Sequence, residues 1–358
     1  MQIGILGLPA SGKTTVFRAL TGAGQRPRRG ELQADTRIVP VPDARLPVLA
    51  AMYRPRKVTP ATLEFIDPLV EGAPSLRHYV DSLLPLLRSV EALAHVLRAF
   101  EDAAVPHPLG SVDPLRDVRR LNEELLLADL AVVEKRCERL AKDLKKTQDR
   151  TLAEEYALLQ RCRETLEAGE PLRRLALTAA EEKRLRGFGF LSSKPQLLVL
   201  NLDEAAIPRE AALLAEFTAR LPEPDVEVLP LYGKLEQEIA ELAPEDAAAF
   251  RRDLGLKAAG LERFVQKCFS LLRRSTFFTA NENEVRAWTV PQGTSALEAA
   301  GVIHSDMARG FIRAEVVSFD DLAACGSPAR AREAGKLRLE GKEYAVQDGD
   351  VLYIRFHV

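Results

Sequence analysis

What this 358-residue sequence lacks narrows its function before any motif is considered. Its four cysteines, Cys137, Cys162, Cys268 and Cys325, are scattered and form no CxxC pair. That argues against a disulfide framework and a structural zinc site, and points to a reducing compartment. Neither charge is in excess: 50 Lys+Arg stand against 52 Asp+Glu, a formal net charge of -2. Nucleic acid is not advertised globally and DNA is not expected, so any RNA contact must come from local basic patches. No long apolar run is present. The most apolar long window, 79–97, is broken by Asp81, Pro85, Arg88 and Glu91 and cannot span a bilayer cheaply. The amino-terminal apolar stretch has no basic lead-in and is interrupted by Pro9 and Lys13, unlike a signal peptide. A cytoplasmic chain with no membrane partner is the expectation. Internal repeats and long low-complexity segments are also missing. With 46% hydrophobic and 28% charged residues the composition is globular. The length suits roughly two to three domains.

What is present begins with strand, loop and helix. Ile3, Ile5 and Leu6 form a short apolar run, and residues 14–20 follow a helical pattern. TLEFID (62–67), AHVLRAF (94–100), QLLVLN (196–201) and VEVLPLY (226–232) read as further strands alternating with helical stretches. This is the grammar of an α/β domain with a mostly parallel sheet. From about 114 to 186 the pattern changes. Leu126, Leu130, Val133, Cys137, Leu140 and Leu144 recur at four- and three-residue steps, and Leu152, Tyr156, Leu159, Cys162 and Leu166 form a second stripe. A polar turn at 147–150 between them predicts an antiparallel helical hairpin inserted into the α/β domain. Pairing Leu144 with Tyr156, Leu140 with Leu159, Cys137 with Cys162 and Val133 with Leu166 keeps a near-constant register, which places the two cysteines opposite each other as small apolar packers. The last 80 or so residues predict a small α+β domain. VRAWTV (285–290) and FIRAEVV (311–317) are strands, with a short helix at 294–301 and closing strands at 337–339, 344–346 and 351–356. Turns fall at Glu340-Gly341 and Asp348-Gly349.

Two motifs carry chemistry. Gly7-Leu8-Pro9-Ala10-Ser11-Gly12-Lys13-Thr14 matches GxxxxGK[ST] after a strand and at the start of a helix. Small residues let backbone amides wrap phosphates, Lys13 brings a point charge to the β- and γ-phosphates, and the Thr14 hydroxyl can ligate Mg²⁺. The second motif, Asn201-Leu202-Asp203-Glu204, ends the fourth strand. GTPases of this class carry Asn-Lys-x-Asp there, with the aspartate accepting from guanine N1–H and N2–H₂. Leu202 and Glu204 replace the Lys and the Asp, which argues against strict guanine specificity.

At this point the sequence resembles the YchF/Obg-like ATPases, a subgroup of the Obg-related P-loop NTPases. The resemblance rests on GLPASGKTTVFRALTG, VPVPDARL, PATLEFID, EALAHVLRAFED, VDPLRDVRRLNEELLLADLAVVEKR and KPQLLVLNLDE. It continues through FFTANENEVRAWTV, FIRAEVVSFDD and AGKLRLEGKEYAVQDGDVLYIRF. It implies an α/β P-loop NTPase (G) domain over 1–115 and 189–276. A helical coiled-coil hairpin would occupy 116–188, and a β-grasp-like TGS domain 277–358. It further implies ATP as ligand and substrate (GTP less well), Mg²⁺ as cofactor, ribosome or RNA as partner, and a monomer. The implied nucleotide-binding residues are Leu8, Pro9, Ala10, Ser11, Gly12, Lys13, Thr14, Thr15, Asn201, Leu202, Glu204, Tyr232 and Gly233. The implied metal residues are Thr14 and Asp67, and the implied catalytic residues are Lys13 and His107. His107, in VPHPLG, aligns with a family loop histidine proposed to assist hydrolysis.

The chain also departs from that family. The family's Asp-x-x-Gly switch is here Asp67-Pro68-Leu69-Val70-Glu71-Gly72, with no glycine three after Asp67. The glycine-rich stretch that follows is replaced by Pro74, Ser75, Leu76, Arg77 and His78. The first switch reads Glu31-Leu32-Gln33-Ala34-Asp35-Thr36. Asp67 remains placed to hold Mg²⁺ through water, and Thr36 stands near the position of the switch threonine. Two further readings therefore stand beside a slow ATPase. One is a catalytically impaired nucleotide-binding module acting as a ribosome- or protein-binding factor; the other is a conventional GTPase. His78, His95, His304 and His357 show no metal-ligand spacing. Basic clusters at Arg26-Pro27-Arg28-Arg29, at Arg54-Pro55-Arg56-Lys57 and at Lys142, Lys145 and Lys146 are candidate RNA-phosphate contacts.

Overall fold

The structure is a computed structural model that describes residues 1–20, 28–29, 34–68, 75–221, 226–256 and 259–357. The chain divides into two compact units, Met1–Ile38 with Glu64–Phe264, and Val39–Leu63 with Val265–Val358.

The first unit is built on a seven-stranded sheet. Its strands are β1 (Gln2–Leu6), β2 (Arg28–Arg29), β3 (Ala34–Pro40), β5 (Thr62–Pro68), β6 (Ala92–Arg98), β7 (Gln196–Asn201) and β8 (Glu227–Leu231), in the order β2-β3-β5-β1-β6-β7-β8. β1 pairs in parallel with β5 and β6, β6 with β7, and β7 with β8. Every residue of β6 and β7 is buried, as expected of strands covered on both faces. The covering helices include α1 (Lys13–Ala19), α3 (Leu76–Ser89), α4 (Pro114–Leu144), α7 (Glu210–Ala219), α8 (Gly233–Ala240), α9 (Pro244–Asp253) and the start of α10 (Gly260–Leu271). All five strands read from the sequence in this domain are found. The third lies two residues earlier than its apolar run suggested.

The helical hairpin is α4 followed by α5 (Arg150–Glu167), with a short α6 (Ala179–Leu185) on the return path. Both long helices start on side-chain caps. Asp113 Oδ1 accepts from the Arg116 amide, and Asp149 Oδ1 accepts from the Thr151 and Leu152 amides. Val133, Cys137, Leu140, Leu158, Leu159, Cys162 and Leu166 share one core cluster, so the predicted stripes do face each other. Cys137 and Cys162 are both free and buried there. Burial pushes the Cys162 thiol up to about 11, which makes it a packing group rather than a nucleophile. Arg136 crosses between the helices to grip both carboxylate oxygens of Glu155.

The second unit holds α2 (Arg45–Tyr53), β4 (Lys57–Thr59), β9 (Arg274–Ala280), β10 (Glu284–Pro291), α11 (Ala296–Ile303), α12 (Ser305–Arg309), β11 (Phe311–Ser318), α13 (Phe319–Cys325), α14 (Pro328–Glu333), β12 (Arg338–Glu340) and β13 (Asp350–Phe356). Its sheet order is β12-β11-β13-β9-β10-β4. α2 and β4 come from the segment 39–63, far away in sequence. Arg45 ties α2 to Asp348 at 2.7 Å and lies over the Phe278 ring, the Tyr53 hydroxyl pairs with that of Tyr353, and β4 runs parallel to β10. The expected strand at 344–346 is only a single bridge, Ser295 with Ala345. The backbone there is spent elsewhere. Tyr344 O accepts from the Ala296 amide and the Val346 amide donates to Thr294 O, so this stretch seats the start of α11.

The root of the hairpin depends on one buried carboxylate. Asp129 is fully buried, and accepts from the Leu191 amide at 3.0 Å, the Ser192 amide at 2.8 Å and the Ser192 hydroxyl at 2.7 Å. Asp129→Ala would leave buried donors unpaired, at about 1–3 kcal/mol each. The expected loss is about 3–5 kcal/mol in urea unfolding of the full chain. Asp129→Asn should lose less, because one acceptor oxygen survives.

Candidate functional site

β1 ends at Leu6 and α1 opens at Lys13, so the phosphate loop is the turn between them. The Ser11 amide donates to Leu8 O at 3.2 Å and the Val16 amide to Gly12 O at 3.0 Å. Gly12 precedes the helix with φ of 89° and offers no side-chain cap. The first-turn N–H groups are thereby left for an outside acceptor, and the positive end of the helix favours an anion. Close approach dictates both flanking glycines. A Cβ at Gly7 would lie 2.4 Å from Val96 O, and one at Gly12 would lie 2.2 Å from Asn201 Nδ2. Pro9 and Ala10 form the exposed tip, with Ala10 at φ of 62°.

Asn201 holds this loop in place. It ends β7, is 3% exposed, and uses both sides of its amide. Nδ2 donates to Ser11 O at 3.0 Å, while Oδ1 accepts from the Gly233 amide at 2.9 Å. The carboxamide thus joins the phosphate loop to the first residue of α8. The neighbouring motif residues divide. Leu202 is buried in the core cluster with Phe217, Tyr232 and Leu235. Glu204 is exposed at the start of a short 3-10 turn, Glu204–Arg209, capped by Asp203. The Tyr232 hydroxyl donates to Glu210 at 2.8 Å.

Beneath the loop lie Lys13, Thr14 and Asp67. Lys13 folds back, its ammonium 3.4 Å from Leu8 O and 5.5 Å from the centre of the Tyr79 ring. Burial pushes its pKa down, opposed by Asp67. Asp67, on β5, is 0% exposed. Burial pushes its pKa up; Lys13, the adjacent Thr14 hydroxyl and Arg18 work against that rise, and Asp35 adds to it. Neither Asp67 oxygen, nor the Ser11 hydroxyl, meets a well-formed hydrogen-bond partner among the described residues. The buried Asp67 carboxylate with the Thr14 hydroxyl beside it makes an all-oxygen set suited to a hard cation such as Mg²⁺. The described residues contain no group of three or more His, Cys, Asp or Glu fit to hold a metal, so water and ligand oxygens would have to complete the shell.

His107 sits in the loop between β6 and α4, its side chain 3% exposed. The Leu109 amide donates to Nδ1 at 3.1 Å, so Nε2 carries the proton and donates to Asp117 at 2.9 Å. Arg116 holds the other Asp117 oxygen at 2.8 Å. The side-chain hydrogen bonds of His107 thus run to its own loop and α4 rather than to the phosphate loop. His95 is a core residue on β6 that accepts from Gln196, and burial, with Lys13 as the lesser cause, pushes it down to about 3. Thr36 is half-buried on β3. Residues 31–33 of the first switch, 69–74 of the second, and Arg26 and Pro27 lie outside the described residues. Lys142, Lys145 and Lys146 are exposed at the hairpin tip; Arg54, Arg56 and Lys57, in the second unit, are also exposed. A cavity at the hairpin root, lined by Val118, Asn122, Gln196 and Leu198, contains none of the loop residues.

Sequence reasoning missed two neighbours of the loop. Tyr79, on α3, donates its hydroxyl to Gly7 O at 2.7 Å. Arg98 is buried under the Phe100 ring, whose edge would come within 3.8 Å of a Cβ at Gly12. No spacing rule links residue 79 or 98 to a phosphate loop, so only the fold could reveal them.

Known proteins match this arrangement over its whole length. Residues 275–357 match the family YchF-GTPase_C, described as a protein of unknown function (DUF933). The "Ribosome-binding ATPase YchF" of Bacillus subtilis (strain 168) is 42% identical over 365 residues, covering 100% of both chains. That of Escherichia coli O157:H7 is 40% identical and covers 100% of this chain and 99% of the relative. "Obg-like ATPase 1" of Oryza sativa subsp. japonica is 35% identical across 100% of this chain and 92% of the relative. The solved structure of the Schizosaccharomyces pombe YchF GTPase superposes with a TM-score of 0.86 at 29% identity, covering 99% of this chain and 97% of that one. With a phosphate loop laced by Asn201, a hairpin inserted between β6 and β7, and end-to-end identity of this size, the chain belongs to the YchF/Obg-like ATPase family.

Proposed function

We propose that this chain binds ATP, and GTP less well, together with Mg²⁺ in the phosphate loop, and hydrolyses it slowly. Its nucleotide state then governs association with the ribosome or RNA. The observation that carries this reading is the empty-handed loop. The first-turn amides have no side-chain cap, the Lys13 ammonium rests near a carbonyl and a ring with the buried Asp67 as its opposing charge, and among the described residues neither Asp67 oxygen meets a well-formed hydrogen-bond donor. A triphosphate with a divalent cation satisfies all three at once. The names of the relatives, ribosome-binding ATPases, support the same substrate and partner.

The roles follow from position. Backbone N–H groups from Gly12 to Thr15 cradle phosphate oxygens, and Lys13 leaves the Tyr79 ring to neutralise the β- and γ-phosphates. Thr14, and Asp67 through water, would hold Mg²⁺, which supplies further charge neutralisation on the phosphates. Asn201 and Gly233 border the base side, where Leu202 offers no cation to stack on a guanine. His107 can orient water only by giving up its bond to Asp117 or to Leu109, which is consistent with slow turnover.

That same anchoring favours the second reading, a nucleotide-binding module with little turnover. Calorimetric titration with ATP, GTP and ADP in Mg²⁺, followed by a phosphate-release assay, separates the two. Tight binding without phosphate release selects the module. ATP and GTP competing equally for a fluorescent nucleotide would select the conventional GTPase. Co-sedimentation with ribosomes in ATP and in ADP tests the partner.

Two substitutions report on the loop itself. Lys13→Ala is expected to lower turnover by at least about a hundredfold, in line with removing a positioned charge from a phosphoryl-transfer site. Unchanged turnover would remove the loop from the mechanism. Asn201→Ala deletes two buried hydrogen bonds of about 1 kcal/mol each, so it should cost about 2 kcal/mol of overall stability and, by loosening the loop, weaken ATP binding roughly 10- to 30-fold.

A further inference from the structure

The glycine-rich stretch that the family resemblance leads one to expect after the second switch is replaced here by a capped helix, α3. Ser75 caps it, accepting from the His78 amide at 3.3 Å, and the Tyr79 amide closes the first turn on Ser75 O at 3.0 Å. One face of α3 carries Val80, Leu83, Leu86 and Leu87 into the core, in the same cluster as the Tyr79 ring. Tyr79 uses its place in that first turn differently. Its side chain points at the phosphate loop and is 3% exposed.

We infer that Tyr79 is a positioning residue that latches the phosphate loop to α3 and parks Lys13 until nucleotide arrives. Two contacts carry this. The hydroxyl donates to Gly7 O at 2.7 Å, across 72 residues of sequence. The ring faces the Lys13 ammonium at 5.5 Å. Gly7 is already pressed against the Val96 carbonyl from the β6 side, so the hydroxyl fixes the loop's first carbonyl from the other direction. A peptide turned so that its carbonyl meets Tyr79 cannot also turn that carbonyl towards phosphate oxygens, which keeps the cradle lined by donors. The ring compensates the desolvated ammonium through cation–π attraction. A phosphate offers Lys13 a full negative charge, so occupancy draws Lys13 away from the ring. Tyr79 then retains only its hydroxyl bond, and the hold between loop and α3 loosens. The loop and the helix after the second switch thereby sense nucleotide through one side chain. Phe would fill the same space among the core residues, so the hydroxyl is the part that packing alone does not require.

This inference rests on the nucleotide reading above only for its second half. The test has two arms on the full-length protein. In the nucleotide-free arm, hydrogen–deuterium exchange of the peptide spanning residues 7–14 is compared between wild type, Tyr79→Phe and Leu84→Ala, the last a control on α3 away from the loop. Exchange at least threefold faster in Tyr79→Phe, with the control like wild type, is expected. In the second arm, ATP affinity should fall about fivefold in Tyr79→Phe, with adenosine binding unchanged. Tyr79→Leu, which also loses the ring, should accelerate exchange further while leaving Lys13 freer. Loop exchange identical in wild type and Tyr79→Phe would overturn the latch whether or not ATP binds. If wild type binds no ATP, the nucleotide reading fails while the exchange arm still decides the latch.

Discussion

The carboxamide of Asn201 is the constraint on which the site depends. Its side chain touches the phosphate loop and the start of α8 together, with its donor and its acceptor at once. A buried amide is costly unless both ends are paired. Here the pairing fixes positions that the strands alone do not. β7 places Asn201 level with Arg98 of β6, and β6 in turn aligns His95 with Leu6, the last residue before the loop. The sheet therefore sets the height of the amide relative to the loop, and the amide sets the loop. Gly12 follows as a consequence: any larger residue would occupy the volume that Asn201 Nδ2 already fills.

The charges beneath the loop are only partly matched by one another and by their neighbours among the described residues. Lys13 and Asp67 are both desolvated, and burial disfavours the charged form of each. Their mutual attraction offsets part of that cost and no more. A site of this kind gains most when a ligand brings opposite charges of both signs in one fixed geometry, which is what a polyphosphate with a divalent cation does. Tyr79 and Leu8 O provide Lys13 with a resting place that is weaker than a phosphate, so the charge is held close by without being locked. His107 is held by contrast on both ring nitrogens, and Arg116 completes the grip on its Asp117 partner.

Much of this was legible in the sequence. Backbone-level signals were the strongest: near-continuous apolar strands, two heptad-like stripes with a polar turn between them, and the GxxxxGK[ST] spacing all describe local periodicity or turn chemistry. The pairing of Asn201 with the loop was legible only as a motif, because its partners Ser11 and Gly233 are 190 and 32 residues away. What could not be read was non-local. Residues 39–63 joining a sheet more than 200 residues downstream left no periodic mark, since β4 is a three-residue edge strand and α2 is a single short helix. The stretch 344–346 misled because alternating apolar character describes any half-buried extended chain, including one whose hydrogen bonds seat a helix. Tyr79 was silent for the same reason. A tyrosine on an amphipathic helix reads as core until its hydroxyl is seen to cross to another element.

The geometry also limits where nucleotide-dependent motion can reside in the first unit. β7 carries Asn201 at one end, and at the other it follows directly from Leu191 and Ser192, which Asp129 binds at the hairpin root. One buried strand, paired on both sides to β6 and β8, thus connects hairpin root and phosphate loop. Shifting one against the other would break ladder bonds in the middle of a parallel sheet, at a cost far above the few kcal/mol that separate functional states. The hairpin is in that sense part of the rigid frame. Elements that change with nucleotide must be those tied to the loop by single side chains, and α3, held there through Tyr79 while the rest of its face rests on the core, meets that condition.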